Sequence, residues 1–317
     1  MKSFNFNNIL SLIPANIVYE VLGDSESNIM ILNAKPTLEA ESDSLTFIDK
    51  TRSNSEKISW SNSTNSKLII TDLEIHIEDK IILKTEKPKI LFSILVSKMF
   101  IVRKENFIHE SAIIFKNSKI GLNCYIGAHV VIEKNVEIGD DVIINSNVTI
   151  KENSIIGNNV IIESGSVIGG EGFGFLRDKE LGIFNFPHIG GVILEDAVEI
   201  GANNTIDRGA LSNTILKSNV KTDSLVHIAH NVLVGERTLI MANAMISGSV
   251  IIGADSWIAP SSSIKDGLKI GANVTVGIGA VVTKNIPDNQ VWTGNPAQEL
   301  GEFARTQRDI RSINKKK

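Results

Sequence analysis

Residues 107–169 read FIHESAIIFKNSKIGLNCYIGAHVVIEKNVEIGDDVIINSNVTIKENSIIGNNVIIESGSVIG, with isoleucine at 108, 114, 120, 126, 132, 138, 144, 150, 156, 162 and 168. Eleven isoleucines at a spacing of six are not accidental. The phase resumes at Leu194, Ile200 and Ile206, slips by four residues around Arg208 to Leu211, and continues as Leu216, Thr222, Ile228, Val234, Ile240, Ile246, Ile252, Ile258, Ile264, Ile270, Val276 and Val282. A period of six fits neither a 3.6-residue helix nor a plain two-residue strand. It fits short β-segments separated by turns, each segment pointing one aliphatic side chain inward onto its counterpart one coil away. The following positions carry Gly, Asn, Asp and Ser, as in Ile138-Gly139-Asp140-Asp141 and Ile156-Gly157-Asn158-Asn159, residues suited to tight turns and left-handed backbone. A mainly β fold follows, a parallel β-helix. Its about 26 repeats predict eight or nine coils and a prism on the order of 40 Å long at about 4.8 Å per coil. An ice-binding β-helix would present a flat array of threonines, whereas the outward positions here are irregular.

Composition agrees. Aromatic residues make up 5% of the 317-residue chain and hydrophobic residues 42%, as expected of a core built from stacked aliphatics. A net charge of -4 gives no basic face for nucleic acid. The single cysteine, Cys124, falls inside the repeat, where a buried small residue is expected. The longest apolar segment outside the repeats, Phe92 to Val102, is broken by Ser93, Ser97 and Lys98, so no membrane span is expected and a cytoplasmic location is.

Three regions are expected: 1–104, a small α/β domain with short alternating runs; 105–297, the β-helix; and 298–317, a C-terminal helix with a basic tail. Arg305, Arg308 and Arg311 recur along that helix before Lys315, Lys316 and Lys317, either as a solvated terminus or as a face for an acidic partner. The hexads are interrupted over 170–187, GEGFGFLRDKELGIFNFP, which carries Phe173, Phe175, Phe184 and Phe186. Excursions from a solenoid gather on a binding face. The aromatics either wall a cleft or seal the loop onto the prism.

Of six histidines, His227 and His230 form the tightest pair, in DSLVHIAHNVLVG. A metal site would need further ligands at suitable spacing, which the neighbouring coils lack, so none is expected. An imidazole at a prism edge suits general-base catalysis, since an amine attacking a thioester must lose a proton. Asp223 is the carboxylate expected to orient the imidazole or the acceptor amine. Gly248, eighteen residues beyond His230, is expected one coil away, where its N–H would meet a developing oxyanion. His227 and Asn231, flanking the base, and Phe173 and Phe175 on the excursion are expected to contact substrate.

The blocks GGEGFGF (169–175), HIGGVILEDAVEIGANNTIDRGAL (188–211) and VHIAHNV (226–232) together resemble the UDP-3-O-acylglucosamine N-acyltransferases of lipid A synthesis. The resemblance runs from Ile108 to about Ile286. It implies a left-handed β-helix, a homotrimer with sites between subunits, no bound cofactor and an acyl-thioester donor on acyl carrier protein. Ala229-His230-Asn231 matches the family's catalytic histidine, Asp223 an acidic residue beside it, and Gly248 the oxyanion donor. Leu45-Thr46-Phe47 resembles the start of a uracil-binding segment, which makes Phe47 a substrate contact. Beyond that Phe the family has Asn and Tyr where this chain has Ile48-Asp49-Lys50-Thr51-Arg52-Ser53, and a second family histidine is replaced by Gly267. The ending WTGNPAQEL is similar to coenzyme A-dependent sugar acetyltransferases. These departures favour acyl transfer to a different nucleotide-linked amino sugar, with acyl carrier protein or coenzyme A as donor, over the lipid A reaction itself. A non-catalytic β-helix scaffold is the reading from another class.

Overall fold

The computed structural model describes residues 3–23, 29–102 and 104–314. It divides into two compact units, Met1–Arg103 and Lys104–Lys317.

In the first unit, strands Glu20–Leu22, Ile81–Lys84, Leu68–Thr71, Ser44–Phe47 and Asn33–Ala34 lie side by side in that order. Only the first pair is antiparallel. Alternation along the central strands sends Leu68, Ile70, Ile81 and Leu83 to one face, under Leu91, Leu95 and Met99 of helix Pro88–Phe100. Ile69 and Ile82 point to the other face, with Trp60 of helix Asn54–Ser63 packed against them. Period-two patterning thus buries both faces of the sheet.

In the second unit the hexads form two- to four-residue strands stacked into three parallel sheets, the faces of a β-solenoid. One face has nine strands and one has eight. The third has ten parallel strands plus the antiparallel edge Gln298–Glu299, so the stack reaches about ten turns. Ile126 sits opposite Ile144, and Ile144 opposite Ile162, each fully buried. Removing such a side chain from water is worth about 1.5–3 kcal/mol. The core is fuller than one inward residue per hexad: the residue two places earlier is buried as well, for example Val130, Val136, Val142 and Val148, because the chain bends inward as it rounds each corner. Ser166, polar at that position, is satisfied internally, its Oγ donating to the Gly201 carbonyl at 2.8 Å, whereas the buried Ser154 Oγ has no hydrogen-bond partner among the described residues. Cys124 occupies one of these places, and burial pushes its thiol pKa up.

Corners are made by a residue in the left-handed region every six positions, most often Asn or Asp: Asn147 (φ 62°), Asn153 (φ 62°), Asn159 (φ 55°), Asn231 (φ 61°). Their short side chains tolerate this backbone best after glycine. Corner contacts usually join residues eighteen apart, but the separation is 38 across the first excursion and 22 across the slip near Arg208. The excursion folds into an exposed antiparallel hairpin, Phe175–Asp178 with Gly182–Asn185. At the C-terminus the helix begins at Leu300 rather than 298, because Gln298–Glu299 pairs with Trp292 and Thr293 and Glu299 Oε2 accepts from the Glu302 N–H at 3.0 Å. The Arg311 side chain and Lys315–Lys317 fall outside the described residues. No helix among the described residues is long and apolar enough to cross a membrane.

Candidate active site

Both insertions open onto the same corner. There a cleft of about 720 Å³ is lined by Phe173, Asp207, His227, Ala229, His230, Met245, Ser247, Gly248, Ser249, Asp266 and Gly267. His227 lies in the strand His227–Ile228, between Thr205 and Met245 of the adjacent rungs, and its outward face is bare to the cleft. His230 follows at the turn, half-buried.

The imidazole of His230 is held from several sides. Its Nδ1 lies 3.1 Å from Asn231 Oδ1. The same oxygen accepts the Ala210 N–H at 3.0 Å, while Asn231 Nδ2 donates to Ser212 Oγ at 2.9 Å and the Asn231 N–H donates to Thr214 Oγ1 at 2.8 Å. An N–H can only donate, so the Ala210 contact fixes which Asn231 atom is oxygen, and His230 Nδ1 must then carry the proton. The other nitrogen, Nε2, is left with its lone pair. The four extra residues of the slip thus build the cradle that sets the tautomer. On one side Gly248 packs against the ring: a Cβ there would lie 2.6 Å from Cε1 and 2.7 Å from Nε2. The Gly248 N–H has no protein acceptor among the described residues. On another side the ring of His188 meets it at 5.1 Å between centroids and 64°.

Asp207 is buried (8% exposed), with Oδ2 3.8 Å from His227 Nε2, whose Nδ1 contacts Thr205 Oγ1 at 2.7 Å. Burial raises the Asp207 carboxyl pKa above the ordinary range, against the opposing pull of His227, His230 and His188. Desolvation wins because the carboxylate has no charge-paired hydrogen bond to offset it.

Of the residues singled out in the sequence, His227, His230, Gly248 and Phe173 therefore meet in one cleft. Phe175 stands behind Phe173, ring centroids 5.0 Å apart. Asn231 holds the imidazole instead of lining the cleft. Asp223 is exposed at the preceding corner, where its Oδ1 accepts from the Ser224 N–H at 2.7 Å. Phe47 lies in the other unit, against Phe92 at 4.6 Å. Sequence reasoning missed Asp207 and His188. The available signal was their position at the two insertions, Asp207 at the edge of the slip and His188 just after the excursion.

Residues 135–170 match the model of the bacterial transferase hexapeptide family, six repeats. The UDP-3-O-acylglucosamine N-acyltransferase of Campylobacter lari is 43% identical over 270 residues, covering 81% of this chain and 84% of that protein. Enzymes of the same name from Caulobacter sp. (40% identical) and Helicobacter hepaticus (37%) align over 39% and 47% of this chain. Those two alignments span less than half of the relatives' own lengths, 36% and 45%. Among solved structures, a UDP-N-acetylglucosamine acyltransferase from Bacteroides fragilis superposes with a TM-score of 0.56 at 28% identity, over 61% of this chain and 73% of that one. The enzyme from Acinetobacter baumannii, at 23% identity and a TM-score of 0.55 over 64% and 77%, shares the fold.

Proposed function

The chain belongs to the UDP-3-O-acylglucosamine N-acyltransferase family, and from that premise we propose that it transfers an acyl group from a thioester to the amine of a UDP-linked 3-O-acylglucosamine. The observation that carries the chemistry is the tautomer of His230. With Nδ1–H committed to Asn231, Nε2 faces the cleft as a base. The acceptor amine attacks the thioester carbonyl, and Nε2 takes the proton that the nitrogen sheds. The Gly248 N–H stabilises the oxyanion. As the intermediate collapses, the amide is formed, the carbon–sulfur bond breaks, and the imidazolium returns its proton to the departing thiolate. Phe173 and Phe175 offer apolar surface for the acyl chain, and His227 with Asp207 offers polar contacts for the sugar.

The donor is acyl carrier protein or coenzyme A, the active form a homotrimer and the location cytoplasmic, in the same reading. The sequence favoured another amino sugar as acceptor, whereas the Campylobacter relative, aligned over 81% of this chain, supports the lipid A acceptor. One observation keeps the other acceptor in view: Asp49 is tied to Thr51, Lys50 to Glu86, and Ser53 caps helix Asn54–Ser63, so the segment after Phe47 is engaged internally. Purified protein given UDP-3-O-acylglucosamine and a panel of other nucleotide-linked amino sugars, with each thioester, should N-acylate the first most rapidly by mass spectrometry. His230→Ala should abolish turnover. Full transfer by that variant would remove the base, and faster turnover of another sugar would move the assignment to that acceptor.

A further inference from the structure

His188 is buried, with 1% of its side chain exposed, and its Nδ1 has no hydrogen-bond partner among the described residues. A buried nitrogen left unpaired is costly, and leucine would fill the same space without that cost. The nearest carboxylate is Glu171, whose Oε1 lies 3.6 Å away on a side chain that is 56% exposed. Glu171 opens the excursion and stands two residues before Phe173, which lines the cleft. Between them Gly172 lies against the His188 imidazole and the root of the His230 side chain: a Cβ there would come within 2.7 Å of His188 Nε2 and 3.0 Å of His230 Cβ. Gly174 closes over the far side of the same ring, where a Cβ would meet His188 Cε1 at 2.5 Å.

We propose that His188 is a positioning residue that couples the excursion to the base: Glu171 engages its buried nitrogen when the cleft is filled, and the His188 ring then fixes the His230 imidazole against Gly248. A movement of roughly 1 Å or less by an exposed side chain turns the 3.6 Å approach into a hydrogen bond. The excursion therefore does more than supply aromatic surface; its root bears on the reacting group. The inference rests on His230 being the base.

The test is a mutant cycle read as kcat and KM beside melting temperature. His188→Leu keeps the packing and removes the nitrogens, so the melting temperature should hold or rise while kcat falls about tenfold, the size expected of a modest misplacement. Glu171→Ala should lose a similar factor, and the double variant should lose no more than the worse single one. KM should stay within about twofold, and His188→Gln, which keeps a hydrogen-bonding group, should recover most of kcat. Losses that multiply, a loss carried by KM, or wild-type kcat in His188→Leu would overturn the coupling. His230→Ala measured alongside separates the two readings: activity retained there removes the base, whereas an inactive His230→Ala with unaffected His188→Leu and Glu171→Ala removes only the coupling.

Discussion

Replacing Gly248 with alanine puts a methyl group 2.6 Å from Cε1 and 2.7 Å from Nε2 of His230. Carbon atoms rest at about 3.5–4.0 Å, so the ring must retreat by about 1 Å. Retreat is blocked on one side by His188 and tethered by the 3.1 Å bond to Asn231. A 1 Å error in a reacting group costs about 10²-fold, or about 2.7 kcal/mol at 1.36 kcal/mol per tenfold. Loss of an oxyanion donor costs about 10²–10³-fold, and the two do not multiply because base and donor act as a unit. The fold should be spared, since Gly248 lies outside the left-handed region. Gly267 supplies the contrast: it faces the same cleft, and nothing lies within 4 Å of the place a methyl group would take, but its φ of 68° strains any other residue. Gly267→Ala should therefore cost about 1–2 kcal/mol of stability. Steady-state thiol release, run with thermal melts of both variants, gives the comparison. A Gly248→Ala enzyme that keeps more than a tenth of wild-type kcat would refute the placement of the imidazole against this glycine.

Asn231→Asp keeps the contact to Nδ1 but makes it a carboxylate, which favours the imidazolium. The acidic limb of the kcat/KM profile should move to higher pH, and an unmoved limb would mean that Nδ1 does not depend on this partner. Asp207→Asn tests the buried carboxyl. Its pKa is raised in the folded protein, so the folded state holds the proton more tightly and stability is lost as pH rises from the ordinary carboxylate value through the raised one. The variant should accordingly gain more in melting temperature at pH 7 than at pH 4, and an equal gain at both would contradict the shift.

The prism was legible because every inward isoleucine repeats one local event, a two-residue rung and a left-handed corner, and no distant contact is needed to specify it. His230 and Gly248 were legible for the same reason: they lie eighteen residues apart, one plain coil. Asp207 reaches the same cleft from 23 residues before His230, and no fixed spacing finds a partner across an inserted slip. His188 was hidden more deeply, since its place depends on where a long excursion returns to the prism. Asn231 reads in the sequence as a substrate contact, since nothing there reveals that Ala210, Ser212 and Thr214 take up its polar atoms. In the first unit the Phe47 ring packs on Phe92 at the margin of that unit's core, a contact that no local pattern in the sequence reveals.

The uneven spacing of the rungs also bears on how the chain assembles. Closing an ordinary coil brings together residues eighteen apart, while the coil spanning the excursion must close over 38. The added entropy is about 0.7 kcal/mol for each such closure, paid at the first contact across the gap. Folding that spreads rung by rung from either end, as it does in solenoids, therefore slows at one seam. That seam borders the cleft, so the two halves of the prism can be complete, with the imidazole already set against its glycine, before the excursion root is joined to them.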